Sequence, residues 1–251
     1  MTLNPQLLHL YGVFSIHIYG LLITIGIVMG LFFALKDREL SKLYNPTALI
    51  DITSLTIFFA LLGARILWAA ELWDSLPSFQ YLFYFWEPGY SILGAIIGGL
   101  LFLSFYLKNN TLIFLDRAAI YIPLMQVFGR MGCFFTGCCY GIQTDVSWAV
   151  IYTHPNHLAP LYCSVHPTQL YSATLLLFLF LFLYFYKDFF KKKGQLISLF
   201  LLGSSIERFL VDFLRADRTL IVSNFSYMQC IALLLICVSI GIFIFSQKVN
   251  K

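Results

Sequence analysis

Charged residues are scarce in this sequence of 251 residues, at 11% against about 25% in soluble proteins. Hydrophobic residues make up 60% of the chain. So few charges cannot cover the surface of a water-soluble domain, and a soluble fold is excluded. The net charge is only +4, and no nucleic-acid partner is expected.

The N-terminus lacks the features of a removable signal peptide. Met1–Tyr11 is polar, contains no lysine or arginine, and leads into an apolar run longer than a signal h-region. We therefore expect the first helix to remain in the mature protein.

Long apolar runs recur along the whole chain, and several approach the roughly 20 residues that a helix needs to cross a bilayer. They predict an all-α integral membrane protein of about seven transmembrane helices, near residues 16–35, 49–69, 90–107, 112–128, 169–186, 196–213 and 228–245. No internal repeat or shift in composition divides the chain, which predicts a single membrane domain over residues 1–251.

Lysine is missing from every second connection between these runs. All nine lysines lie after the first, third and fifth runs or in the C-terminal tail. Because cytoplasmic loops carry the excess of positive charge, this pattern places the N-terminus outside and the C-terminus in the cytoplasm. The longest connection, the outer loop 129–168, is then outside. Loops of that length are usually functional or disordered, and its aromatic and cysteine residues argue against disorder.

Two arginines lie where the bilayer makes a charge costly. Arg65 falls in the second run and Arg208 in the sixth, and an unpaired charge at the bilayer centre costs at least about 3 kcal/mol. Asp212 follows Arg208 by four residues and can pair with it on one helix face. Each arginine therefore belongs either to an ion pair that fixes packing or to a functional site.

Three further arginines, Arg130, Arg215 and Arg218, lie at the outer ends of runs, where the positive-inside rule discourages them. A guanidinium group binds phosphate through two parallel hydrogen bonds, and lipid head groups supply phosphate at this depth. We therefore predict an outward-facing arginine site for an anionic phospholipid, with Arg130 and Arg208 required for lipid binding.

Four glycines surround Arg130 in the segment Gly129–Gly141, directly after a predicted span. Glycine lets the backbone turn tightly, and its N–H group can point at an anion. We interpret the segment as a phosphate or glycerol pocket. The alternative is that small residues only allow helices and loop to pack closely in lipid.

Cysteines are concentrated in the same connection, at Cys133, Cys138, Cys139 and Cys163. They lack the paired C-x-x-C spacing of a zinc site, so we expect no metal and no cofactor. A disulfide of the adjacent Cys138 and Cys139 with each other would be awkward, whereas pairing with Cys133 or Cys163 stays open. Small packing residues are the favoured interpretation.

Five short motifs occur together in one known family. They are His17-Ile18-Tyr19-Gly20, Gly63-Ala64-Arg65, the segment Gly129–Gly141, His166-Pro167-Thr168-Gln169-Leu170-Tyr171, and the set Arg208, Asp212 and Arg215. Taken in order they resemble the motifs of phosphatidylglycerol–prolipoprotein diacylglyceryl transferases, inner-membrane enzymes of bacterial lipoprotein maturation. The segment Gly129–Gly141 is the most specific of them.

The resemblance implies transfer of a diacylglyceryl group from phosphatidylglycerol to the thiol of a lipobox cysteine in a prolipoprotein, with release of glycerol phosphate. It also implies a multi-pass protein of the bacterial inner membrane that contacts membrane lipids. Arginines would neutralise the departing phosphate. The catalytic residues it implies are Arg130, Arg208, His166 and Tyr19. The substrate-binding residues it implies are Arg65, Gly129, Gly132, Cys133, Gly137, Gly141, Gln169, Asp212 and Arg215.

The chain departs from the family pattern at two places. Leu93 stands where the family usually has a histidine, its proposed general base, and Cys133 stands where asparagine is common. The acceptor thiol must still lose its proton, either beside an arginine or to His17 or His166, of which we favour His166. Two alternatives follow: a family member that acts on another acceptor or only binds lipid, and a membrane thiol oxidoreductase.

Overall fold

The structure, a computed structural model, describes residues 6–9, 15–73, 80, 83–84, 89–222 and 225–249. Its helices are α1 (Ile18–Leu35), α2 (Arg38–Leu43), α3 (Pro46–Glu71), α4 (Ile92–Leu107), α5 (Thr111–Ala118), α6 (Ile122–Thr136), α7 (Thr168–Tyr186), α8 (Gln195–Asp212) and α9 (Tyr227–Val249). Its short strands are β1 (Gln6–His9), β2 (Ser15–His17), β3 (Val150–Ile151), β4 (Ser164–Val165), β5 (Leu220–Val222) and β6 (Phe225–Ser226).

Five helical stretches in the described part of the chain are long and apolar enough to cross a membrane. They are Ile18–Leu35, Pro46–Glu71, Ile92–Ala118, Thr168–Tyr186 and Tyr227–Lys248. The chain is therefore a mostly helical, multi-pass membrane protein. The predicted span 112–128 is divided between α5 and α6, of which α6 has only 15 residues. The predicted span 196–213 lies on α8, which carries Glu207, Arg208 and Asp212. The predicted number of seven and the orientation of the termini stay predictions.

The predicted run 112–128 and the start of the predicted outer loop at Gly129 both differ from the structure. The run is divided between α5 and α6, and the helix continues through Gly129 to Thr136. Hydropathy placed the loop too early because glycine and arginine interrupt the apolar pattern without ending the helix. The helix ends instead at Gly137, which has a left-handed backbone (φ 75°).

The chain divides into two compact units, a first unit of Met1–Ala34 with Leu115–Lys251 and a second unit of Leu35–Phe114. In the second unit α3 packs against α4. A Cβ atom added to Gly63 would lie 2.4 Å from the carbonyl oxygen of Gly94, and one added to Gly98 would lie 2.4 Å from that of Phe59. The backbones of the two helices therefore approach as closely as glycine allows.

In the first unit α6 packs on α7, α7 on α8, and α8 on α9. The side chain of Asp116 links α5 to α8, because its Oδ1 accepts a 2.9 Å hydrogen bond from the backbone N–H of Ile197. This buried carboxylate satisfies a free N–H in the first turn of α8, whose cap residue Gly194 has no side chain to do so.

The connection between α6 and α7 is folded around a small core. Strands β3 and β4 pair antiparallel, with Val150 opposite Val165. Tyr152 is buried between them and Ala159, and its hydroxyl donates a 3.0 Å hydrogen bond to the carbonyl of Phe134. Cys163 packs against this core, in agreement with the interpretation of that cysteine as a packing residue.

Candidate functional site

The C-terminus of α6 turns sharply back on itself. The carbonyl oxygen of Cys133 accepts hydrogen bonds from the N–H groups of both Gly137 and Cys138, the second at 3.1 Å. Cys139 then takes a positive φ of 56°, which a non-glycine residue adopts only when its surroundings impose it. Two left-handed residues within three positions return the chain to the last turn of the helix.

This turn brings three thiols together. The sulfur atoms of Cys133, Cys138 and Cys139 all lie within 4.8 Å of one another, and each side chain is half-buried. The hydroxyl of Thr136 donates to the Cys138 sulfur at 3.4 Å. Hydrogen bonds from the Cys133 and Cys138 thiols, followed by the charges of Arg215 and Arg130, lower the pKa of the Cys139 thiol.

Gly141 joins three parts of the first unit at one point. Its N–H donates to the carbonyl of His166 at 2.9 Å, and it pairs in antiparallel fashion with Arg215. A Cβ atom added here would lie 2.5 Å from His166 Cβ and 2.8 Å from the Leu214 oxygen. Only glycine allows the segment after the thiols to run between the start of α7 and the end of α8.

Two side chains at the start of α7 fix the turn that carries the three cysteines, here called the cysteine turn. Thr168 Oγ1 donates to the Cys139 carbonyl at 2.7 Å, and Gln169 Nε2 donates to the Cys138 carbonyl at 2.7 Å. Both side chains are only 1% exposed. Gln169 thus acts in this structure as a positioning residue, while its Oε1 has no hydrogen-bond partner among the described residues.

His166 belongs to a short polar chain at the surface. Trp148 Nε1 donates to the Tyr171 hydroxyl at 2.6 Å, and that hydroxyl lies 3.1 Å from His166 Nδ1. Because Nδ1 is engaged, Nε2 is the ring nitrogen that can meet a substrate, whichever tautomer is present.

Asp212 links two arginines at the end of α8. Its carboxylate lies 3.6 Å from Arg208 Nη2 and 3.6 Å from Arg218 Nε, and it accepts a hydrogen bond from the hydroxyl of Ser226. The side chain of Asp212 is buried, so its charge acts through little water. The expectation that Asp212 and Arg208 share one helix face is met.

Arg215 is fixed by a neighbour in sequence. Its guanidinium forms a two-point ion pair with Asp217, with Nε at 2.7 Å from Oδ1. The hydrogen bond from Arg215 holds the pKa of the Asp217 carboxyl below its usual range. The same guanidinium lies beside Cys139, so it connects the arginines to the thiols.

A cavity of about 380 Å³ lies at this end of α8. Its lining includes three arginines and two carboxylates, together with residues of the β5–β6 hairpin and the start of α9: Arg208, Asp212, Arg215, Asp217, Arg218, Thr219, Ile221, Ser226, Tyr227 and Met228. A concave site with an excess of positive charge suits an anionic group of the size of a phosphodiester.

Arg130 completes the positive cluster from α6. Its guanidinium makes no hydrogen bond or ion pair with the residues that the structure describes. The charges of Arg130 and Arg215 nevertheless act on that of Arg208. Donors that are held near other cations without a partner of their own are available to an anion.

The glycines of this segment serve packing more than anion binding. The N–H groups of Gly137 and Gly141 are donated to backbone carbonyls, so the idea that they point at an anion is wrong for these two. Gly132 lies against Tyr19, because an added Cβ would be 2.8 Å from the Tyr19 ring. Gly129 has open space instead, with nothing within 4 Å of an added Cβ.

Comparison with known proteins decides the family. The chain matches the family described as prolipoprotein diacylglyceryl transferase over residues 5–245. It is a member of that family. Membership identifies the chain as an enzyme, a diacylglyceryl transferase, and agrees with the resemblance carried by its motifs.

Named relatives cover most of the chain. It is 33% identical over 247 residues to the phosphatidylglycerol–prolipoprotein diacylglyceryl transferase of Clostridium tetani, and the aligned region covers 97% of each chain. It is 35% identical over 209 residues to phosphatidylglycerol–prolipoprotein diacylglyceryl transferase 2 of Clostridium perfringens, and the aligned region covers 81% of this chain and 80% of the relative. A third such transferase, from Dehalococcoides mccartyi, is 31% identical over 93% of this chain and 90% of its own.

Arg65 of this transferase lies in the second unit, where backbone oxygens hold it. Nη1 donates to Gly89 at 2.8 Å and Nη2 to Tyr84 at 2.9 Å, and the guanidinium stacks on the rings of Trp68 and Tyr90. Within that unit Arg65 ties α3 to the connection that follows it. A role in substrate binding stays a prediction.

Several residues of this candidate site were not singled out from the sequence. Thr168 supports Cys139, Asp217 fixes Arg215, and Ser226 meets Asp212 from the next hairpin. The Arg-x-Asp spacing of Arg215 and Asp217 was a readable signal. No local pattern predicts the role of Ser226, because its hydrogen bond to Asp212 depends on the path of the chain after α8.

Proposed function

We propose that this chain transfers the diacylglyceryl group of phosphatidylglycerol to the thiol of a lipobox cysteine in a prolipoprotein and releases glycerol phosphate. The observation that carries the proposal is the cluster of Arg130, Arg208 and Arg215 beside an anion-sized cavity, in a member of this transferase family. The named relatives act on the same pair of substrates.

The arginines supply the electrostatic part of catalysis. As the C–O bond of the glyceryl carbon breaks, negative charge grows on the departing phosphate oxygen. Arg130 has its donors free within the described residues, and Arg208 is aimed by Asp212 at 3.6 Å. Removing one preorganised donor of this kind lowers the rate by about 10²- to 10³-fold.

The remaining predicted residues orient the substrates. His166 presents Nε2 to a substrate oxygen, and Tyr19 lies on Gly132, two residues after Arg130 on α6. Gln169 shapes the site through the Cys138 carbonyl. We place the enzyme in the bacterial inner membrane with seven spans, the N-terminus outside, and the site at the outer face, where membrane lipids and the prolipoprotein signal peptide both arrive.

The test is transfer of radiolabelled diacylglyceryl from phosphatidylglycerol to a lipobox peptide by the purified full chain. Arg130→Ala is expected to lower the rate at least about a hundredfold, because it removes a donor to the leaving phosphate. Arg38→Ala, at an exposed position of α2, is the matched control and should transfer like the wild type. Absence of transfer by folded wild-type protein, or equal rates for wild type and Arg130→Ala, would sink the proposal.

A further inference from the structure

The cluster of Cys133, Cys138 and Cys139 has the donor set of a metal site with one open position. Zinc bound by sulfur takes ligands at about 2.3 Å in a tetrahedron, which places neighbouring sulfurs about 3.8 Å apart. The three sulfurs here already lie within 4.8 Å of one another, so a small side-chain adjustment closes the site. The spacing of cysteines along the chain hid this, because the return at Gly137 and Cys139 is what makes them converge.

The backbone around the thiols is built to hold this arrangement. Thr168 and Gln169 fix the carbonyls of Cys139 and Cys138 with two 2.7 Å hydrogen bonds. The positive φ of Cys139 persists against its own cost because these bonds impose it. Rigid support of ligands by hydrogen bonds is typical of metal sites.

The thiolates and the end of α6 attract a cation, and the neighbouring arginines offset the negative charge that remains. The three sulfurs lie at the C-terminus of α6, where the helix dipole is negative. Three thiolates and one Zn²⁺ carry a net charge of −1, which the neighbouring Arg130 and Arg215 offset.

We propose that Cys133, Cys138 and Cys139 bind one zinc ion whose fourth position takes the acceptor cysteine of the prolipoprotein. This inference rests on the proposed transferase function for the identity of the acceptor. It supplies what the chain lacks at Leu93, since a thiol that coordinates zinc loses its proton without a general base. Catalytic zinc sites keep such a position open for water or substrate.

Atoms and electrons balance in the transfer step, and the oxidation state of zinc does not change. The acceptor thiolate attacks the glyceryl carbon that bears the phosphate, so an S–C bond forms and a C–O bond breaks. The electron pair of the C–O bond goes to the phosphate oxygen beside Arg130 and Arg208. The proton lost from the thiol ends on the released glycerol phosphate, and nothing is oxidised or reduced.

The first arm of the test measures metal directly. The full chain is purified in detergent under reducing conditions, loaded with Zn²⁺, desalted, and analysed for zinc per chain. We expect about one zinc in the wild type and in Cys163→Ser, and almost none in Cys133→Ser, Cys138→Ser or Cys139→Ser. Equal zinc in the wild type and the variant with all three serines overturns the proposal.

The second arm needs no variant and so does not depend on how the serine proteins fold. Wild-type chain loaded with Co²⁺ should show the strong absorption of tetrahedral cobalt and of sulfur-to-cobalt charge transfer. A lipobox peptide should shift these bands, and the same peptide with serine in place of its cysteine should not. Absence of a thiolate–cobalt spectrum overturns the site, and an unshifted spectrum overturns the acceptor role. Thiols found as a disulfide that bind no Zn²⁺ after reduction also overturn the site.

Activity separates this inference from the proposed function. A free thiol of pKa about 8.5 is only about 3% ionised at pH 7, so removing zinc with a chelator should lower transfer by up to about thirtyfold, and adding Zn²⁺ should restore it. Full transfer by zinc-free wild type overturns the zinc proposal and leaves the transferase standing. A wild type that holds cysteine-bound zinc yet transfers nothing overturns the transferase function and the acceptor role with it.

Discussion

Asp212 sets the geometry of two arginines with one carboxylate. We expect Asp212→Asn to leave the charges of Arg208 and Arg218 without their counter-ion, to lower the free energy of unfolding by about 1–3 kcal/mol, and to lower transfer at least about tenfold. Thermal unfolding in detergent and the transfer assay measure both effects. Asp51→Asn, at an exposed position of α3, is the control. Wild-type values in both measurements for Asp212→Asn would contradict the role assigned to it.

For individual residues, the sequence predicts contacts within a helix and misses contacts across turns. The pairing of Arg208 with Asp212 follows from their spacing of four residues. The approach of Arg218 and Ser226 to the same carboxylate depends on the turn after α8 and the β5–β6 hairpin, which no periodicity describes. Pairing of Cys138 or Cys139 with Cys133 was left open, but the convergence of all three depends on the turn at Gly137 and Cys139, which the spacing does not show.

Among the elements, the segment after the cysteine turn depends on Gly141. We expect Gly141→Ala to shift this segment, because the new methyl group would meet His166 and Leu214 from both sides at 2.5–2.8 Å. Transfer should fall at least about tenfold with a loss of stability of about 1–3 kcal/mol. Gly241→Ala on α9, where nothing lies within 4 Å of an added Cβ, should behave like the wild type. Normal activity of Gly141→Ala would mean that the segment can move without harm.

The close contact between α3 and α4 depends on glycines at the crossing. A Cβ atom at Gly94 would lie 2.3 Å from the carbonyl oxygen of Gly63, so Gly94→Val should separate the helices and cost about 1–3 kcal/mol. Gly99→Ala on the same helix meets only ordinary contacts at 3.6 Å or more and should unfold at the wild-type temperature. Equal unfolding temperatures for both variants would argue against a tight α3–α4 crossing.

Hydropathy locates a helix well when the helix is long and apolar enough to cross the bilayer. The predicted runs coincide closely with α1, α7 and α9, and α3 begins three residues before its run. It fails at α5 and α6, where the helix break at residues 119–121 has no proline or glycine before Pro123, and where Gly129 continues a helix instead of ending it. Packing inside the first unit, which no single-residue scale contains, decides those boundaries.

Across the whole molecule, the distribution of lysine makes a prediction about orientation. A reporter that is active only in the cytoplasm, fused after the C-terminus or inserted near Lys191, should be active. The same reporter inserted near Trp148, an exposed position in the connection between α6 and α7, should be inactive if that connection lies outside. Activity at Trp148 would reverse the topology and would place the arginine cavity on the cytoplasmic side.

Composition indicates the class of the whole molecule but not its division. The scarcity of charge excludes a soluble domain, and the long apolar runs then predict a helical membrane protein. The first unit, by contrast, joins residues 1–34 to residues 115–251 across an intervening unit of 80 residues, Leu35–Phe114. Such an assembly rests on contacts between distant segments, and nothing in local composition marks its borders.

The exposed indole of Trp148 gives the enzyme an optical signal of its own. Its N–H meets Tyr171, which in turn meets His166, so a molecule that engages His166 changes the surroundings of a fluorophore two contacts away. The chain has four tryptophans, and replacing the other three with phenylalanine would leave one emitter on this chain of contacts. Stopped-flow fluorescence could then time the arrival of lipid and of peptide separately, without a label on either.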